Sequence, residues 1–87
     1  MESDDNRLLD AVGRRIGELR RKAKLTQAQV AERLNTSISN YQRIEHGFQN
    51  LTLLTLAKLA RVLGVDVRDL LKSPRQARPN RGRPSKR

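Results

Sequence analysis

Between Leu9 and Leu71 the apolar residues recur mostly every third or fourth position, with no alternating strand pattern. That period belongs to helices buried on one face and is incompatible with half-buried strands, so the chain is read as all-α. The first stripe, Leu9, Val12, Ile16, Leu19 and Ala23, predicts a helix from about residue 7 to 23, with Arg14, Arg15, Arg21 and Lys22 on its other faces. Gly13 and Gly17 weaken it slightly as an isolated helix.

The punctuation divides the rest. Thr26 is placed to cap a second helix, with Gln29 three residues on as its capping-box partner and Val30, Ala31 and Leu34 inward. Asn35, a residue that tolerates the left-handed conformation, makes the turn, and Ser37 can cap a third helix running to about Glu45 before Gly47. A fourth helix starts after Asn50 or Thr52, turns Leu53, Leu56, Leu59, Ala60 and Leu63 inward, and stops at Gly64. Asp66 opens a short fifth, with Asp69 near its positive end. The expected fold is thus five helices, residues 7–72, behind a flexible N-terminus, residues 1–6.

Residues 73–87, SPRQARPNRGRPSKR, are of another kind. They hold six of the nineteen cations and none of the nine acids, so the net charge of +10 leaves only +4 on the remainder. Three prolines and no aliphatic side chain larger than alanine give this segment nothing to bury, and it is read as a disordered basic arm. An excess of positive charge on this scale points to a polyanion, because releasing condensed counterions drives binding to nucleic acid.

Several classes drop out. Without cysteine there is no disulfide framework or thiolate zinc site. The acidic start, MESDDNRLLD, is unlike a signal or transit peptide, and the longest apolar run, residues 51–60, is interrupted by Thr52, Thr55 and Lys58. A cytoplasmic, nucleoid-associated protein is expected, with no membrane role: the first helix is basic and amphipathic, but its stripe fits a bundle core better. No paired carboxylates, nucleophile–base set, metal-ligand spacing or phosphate loop is present, so neither an enzyme nor a cofactor or small-molecule ligand is expected. His46 stands alone and reads as a surface residue.

The third helix, SISNYQRIE, carries the functional signal. Only Tyr41 and Ile44 look inward, which leaves Ser37, Ile38, Ser39, Asn40, Gln42 and Arg43 outside. Arg can grip guanine, Gln adenine, and Ile38 a thymine methyl, as a helix lying in a DNA major groove requires. The preceding helix would offer Gln27 and its backbone amides to a phosphate.

The stretch LTQAQVAERLNTSISNYQRIEHG, residues 25–47, also resembles the helix-turn-helix of Cro- and lambda-repressor-type (XRE family) regulators, and the likeness continues through NLTLLTLAKLARVLGVDVRDLL. The resemblance implies a lambda-repressor-like fold and assigns Gln27 to the DNA backbone, Ser37 to a phosphate, and Ile38, Ser39, Gln42 and Arg43 to base edges, with Asn40 within reach of the backbone. It also implies a structural pair between Arg20 and Glu45. Asn35 replaces the usual turn glycine, and Ile38 stands where the family often has Gln or Arg, which removes one hydrogen-bonded base contact.

In the arm, Arg81-Gly82-Arg83-Pro84 resembles an AT-hook core, whose glycine lets the backbone lie in a narrow minor groove. Asn80 stands where that motif commonly has proline, and an unspecific basic arm is the plainer reading. Val65, Val67, Leu70 and Leu71 offer more apolar surface than a small domain needs and are expected at a homodimer interface. A dimer would read a palindrome with half-sites about one helical turn apart. The resulting expectation is an autoregulating repressor or restriction–modification controller on double-stranded DNA. An antitoxin or adaptor binding a protein partner, and an A·T-preferring architectural protein, are the rivals.

Overall fold

The computed structural model describes residues 2–74, with side chains from Asp5 onward. Within that span four α-helices, α1 (Glu2–Lys22), α2 (Gln27–Arg33), α3 (Ile38–Glu45) and α4 (Leu53–Leu63), precede a closing 3₁₀ helix, Val67–Leu71. Arg81, Gly82, Arg83 and Pro84, with the rest of the expected arm, lie outside the described residues.

The all-helical expectation stands, but the fifth helix is 3₁₀ rather than α. Asp66 caps it by accepting from the Arg68 amide, and the Asp69 side chain bonds back to the Asp66 amide. Five residues closed by such a box are too few for an α-helical ladder, and short 3₁₀ turns serve instead. A second difference is at the start: α1 begins at Glu2, so residues 2–6, within the segment expected to be flexible, are helical.

Each element ends where the sequence supplies a stop. Thr26, Ser37 and Thr52 all cap by accepting the amide three residues on, and Thr26 and Gln29 complete a reciprocal box. Asn35 takes the left-handed turn between α2 and α3 at φ 62°, and Lys24 does the same after α1. A lysine there is costlier than glycine, and nothing in its composition announces the turn.

The core joins all five elements. Ile16, Val30, Tyr41, Leu59 and Leu70 are its most buried side chains, with Val12, Leu19, Ala31, Ile44, Leu56, Ala60 and Leu63 around them. Fully burying an aliphatic side chain contributes about 1.5–3 kcal/mol, so these residues supply most of the drive to fold. Two residues expected to face inward do not: Leu53 is 81% exposed and Ala23 is exposed. Both sit at a helix end, where the apolar stripe outruns the neighbours it packs against. Leu70 errs the other way. Expected at a dimer interface, it is completely buried, because the 3₁₀ helix folds back onto α1 and α4. Arg15 helps hold it there, donating from Nε to the Asp69 carbonyl at 2.8 Å.

Candidate nucleic-acid interface

The third helix is poor in apolar side chains, yet it is firmly placed. Tyr41 and Ile44, three residues apart, bury one side of α3. Where α3 ends, α1 presents Gly13, and a Cβ at that position would come within 2.5 Å of the Glu45 carbonyl oxygen. Glycine therefore lets α3 approach the backbone of α1 more closely than any other residue allows. Gly47 makes the next turn at φ 77° with Asp10 of α1 directly against it.

Glu45 is the polar centre of this junction. Arg20 Nε donates to Glu45 Oε2 at 2.6 Å and Nη2 to Oε1 at 3.3 Å, with both side chains about nine-tenths buried. Arg20 also donates from Nη1 to the Leu25 carbonyl. Tyr41 donates its hydroxyl to Glu45 Oε2, and Gln27 Nε2 donates to Oε1 at 3.0 Å. Burial alone would raise the carboxyl pKa, but the donors from Arg20, Tyr41 and Gln27 outweigh it and hold Glu45 below its ordinary value. The same neighbourhood, burial first and the Glu45 carboxylate second, pushes the Tyr41 hydroxyl strongly upward. The hydrogen bond to Glu45 raises Arg20 further. Three elements are thus locked around one charge.

Opposite this anchored side, Ile38, Ser39 and Arg43 are exposed and Gln42 is half-buried. On a helix, residues 38 and 42, and 39 and 43, are neighbours, so the four share one face. Ser37 stands at its head with its oxygen accepting from the Asn40 amide. Arg43 leans toward the following loop, where Gln49 Oε1 and the Phe48 carbonyl each lie 3.4 Å from its guanidinium. His46, exposed, stacks on Phe48 with ring centroids 5.8 Å apart.

Two polar residues also make contacts within the fold that the sequence does not announce. Asn40 donates from Nδ2 to Thr36 Oγ1 at 2.8 Å and accepts from Gln49 Nε2 at 2.8 Å. It latches the turn before α3 to the loop after it. Gln27 is turned inward onto Glu45 and also accepts from Gln42 Nε2 at 3.1 Å. Gln49 escaped the sequence reading, as nothing in its spacing marks it. Among the described residues no group of histidines, cysteines or carboxylates could hold a metal ion, and no helix is long and apolar enough to cross a membrane.

The pattern of a known family runs through this site. The profile described as helix-turn-helix matches residues 16–70, and so takes in part of α1 and everything to the end of the core. Over 56 residues the chain is 45% identical to the immunity repressor protein of Bacillus phage phi105. That stretch is 64% of this chain and 39% of the relative, so the chain spans about two fifths of the relative's length. Among solved structures, the clp gene regulator ClgR of Corynebacterium glutamicum superposes with a TM-score of 0.72 at 26% identity, covering 74% of this chain and 82% of that one. The restriction-modification controller protein C.AhdI of Aeromonas hydrophila superposes with a TM-score of 0.68 at 32% identity, covering 71% and 94%. With the profile spanning well over half its length, from the middle of α1 to the buried Leu70, the chain belongs to the helix-turn-helix family of the Cro- and lambda-repressor (XRE) type.

Proposed function

We propose that the chain is a sequence-specific DNA-binding transcriptional regulator that acts as a homodimer on a palindromic operator. The observation that carries this reading is the two-sidedness of α3: one side is pinned to α1 and α2, and the other exposes Ile38, Ser39 and Arg43, with Gln42 half-buried beside them. In this reading Arg43 grips guanine, Ser39 adapts to its neighbour, and Ile38 meets a thymine methyl. Ser37 and the start of α2 sit over phosphates, which fix register without reading sequence. Residues 7–72 form the DNA-binding unit.

Val67 and Leu71, 37% and 57% exposed, remain as apolar surface for a second copy, with Val65 partly covered beside them. Leu53 and Leu54, at the start of α4, are exposed apolar side chains as well. The basic arm, with Arg81, Gly82, Arg83 and Pro84, adds affinity for A·T-rich flanks and steepens the salt dependence. One relative is called a repressor and one structural neighbour a restriction-modification controller; in this reading the chain represses its own gene or controls a restriction–modification system, and works in the cytoplasm on the nucleoid.

The decisive experiment is selection of bound duplexes from a random pool with the full-length chain at near-physiological salt. An enriched inverted repeat supports the reading, and Arg43→Ala then costs about 1–3 kcal/mol and relaxes one base position. Enrichment of plain A·T tracts, untouched by Arg43→Ala, favours an architectural role led by the arm. No enrichment points to an adaptor or antitoxin whose partner is a protein.

A further inference from the structure

We infer that the buried charge of Glu45, relayed through Gln27, fixes which end of the Gln42 side-chain amide faces outward, and thereby sets Gln42 to read an adenine. The inference rests on the DNA-binding reading above and deepens it, making Gln27 a positioning residue rather than only a phosphate contact.

The reasoning follows the direction of each hydrogen bond. An amide side chain can ordinarily be turned over, because its oxygen and nitrogen ends are alike in size. Here the turn is forbidden at the first link. Glu45, held ionised by Arg20, can only accept, so the atom of Gln27 that lies 3.0 Å from its Oε1 must be the nitrogen. Gln27 therefore points its oxygen the other way, toward α3. An oxygen can only accept in turn, so Gln42 must offer its nitrogen, and Gln42 Nε2 lies 3.1 Å away. One N–H of Gln42 is thereby spent. What remains for a ligand is the carbonyl oxygen Oε1 and the second N–H.

An oxygen acceptor beside one N–H donor is the pair that meets adenine in the major groove, with Oε1 accepting from N6 and the N–H donating to N7. A reversed amide would hold its nitrogen where Oε1 now stands and suit the acceptor edges of thymine or guanine instead. It would also suit a phosphate, which an outward oxygen repels. The charge of Glu45 thus reaches, through two amides, a choice of base on the outer face of α3. Arg20 contributes by keeping that charge in place, and Tyr41 by holding the carboxylate from the other side.

The test uses the full-length chain and the random-pool selection, with Gln42→Ala and Gln27→Met. Methionine has nearly the length of glutamine but no polar end, and it leaves the Thr26–Gln29 box intact. The wild-type chain should prefer adenine at one position per half-site by about tenfold or more, the range of a good bidentate contact. Gln42→Ala should lose that preference, and Gln27→Met should relax it at the same position while every other position keeps its ranking. If Gln27→Met weakens all sequences alike and the adenine preference survives, the relay is overturned and Gln27 is only a backbone contact. If Gln42→Ala changes no position, Gln42 reads no base and the inference fails while the DNA reading stands. Absence of enrichment by the wild-type chain would fail the DNA reading itself. A second measurement needs neither DNA nor variants: the side-chain amide protons of Gln42 should exchange with water more slowly than those of Gln29, which engages its oxygen in the cap. Equal rates would overturn the relay.

Discussion

The half of the molecule around α2 and α3 and the half around α4 and the 3₁₀ helix are held together by different physics. Around α3 the contacts have direction: caps at Thr26 and Ser37, the Glu45 cluster, and the Asn40 latch. Around α4 they are matters of area, with Leu56, Leu59, Ala60 and Leu63 buried and two leucines at its start left over in solvent. Hydrogen bonds fix angles and burial fixes affinity between elements, so a helix that must present side chains at set orientations gains from the former. A helix that only has to fill space does not need them. The division also explains how α3 is placed firmly on two apolar anchors.

The comparison can be broken most forcefully at its polar side. Arg20→Ala leaves Glu45 nine-tenths buried without its counter-charge, and should cost about 3–5 kcal/mol in chemical denaturation. On the apolar side, Leu59→Ala should cost about 2–5 kcal/mol through the cavity it opens. The two differ in what survives. At a temperature where both remain folded, Leu59→Ala should keep the wild-type operator preference, and Arg20→Ala should blur it. Equal blurring would mean that orientation at α3 depends on packing as much as on polar contacts.

Gly13→Ala sharpens the point, since it changes no charge and no hydrogen bond. The added Cβ would lie 2.5–2.6 Å from backbone oxygens at the end of α3, which cannot swing away as a side chain would. It should destabilise the fold by about 2 kcal/mol by calorimetry, although alanine is the better helix former by about 1 kcal/mol.

Acid offers a graded version. The folded chain favours ionised Glu45 more than the unfolded chain does, so its carboxyl is lowered from 4.5. Its contribution is complete above that value and is lost as pH falls through the lower folded value. Melting temperature should thus hold from pH 7 to 5 and decline below about 4.5, and Glu45→Gln should be less stable at neutral pH but decline less steeply. Smallest in its effect on folding is Leu71→Ser, expected within about 0.5 kcal/mol for the monomer, yet shifting sedimentation toward the monomer if this surface pairs two copies.

Much of this was legible in the sequence because it depends on local spacing. Thr26 with Gln29, Asn35 at the turn, Ser37, Gly64 and Asp66 are signals that act within four residues, and each lies where the pattern puts it. The inward pair Tyr41 and Ile44 followed from the same period. What escaped depends on neighbours distant in sequence. Periodicity says which face of α4 is apolar but not how far the next element extends over it, so Leu53 was placed inside and Leu70 outside. The pairing of Gln42 with Gln27 across fifteen residues leaves no trace in any pattern, because a polar residue that bonds inward reads like one that faces water. Candidate reading residues were therefore legible as a face of α3, but the orientation of their amides was not.

Tyr41 is the sole tyrosine of a chain without tryptophan. Its hydroxyl sits on Glu45, at the meeting of α1, α2 and α3. Near-ultraviolet emission from this protein is thus a local signal, set by a single donor–acceptor contact. An unfolding curve followed by fluorescence would chart the parting of that junction, while far-ultraviolet circular dichroism would chart all the helices together. A gap between the two curves would time the loosening of α3 against the dissolution of the scaffold, with no label attached.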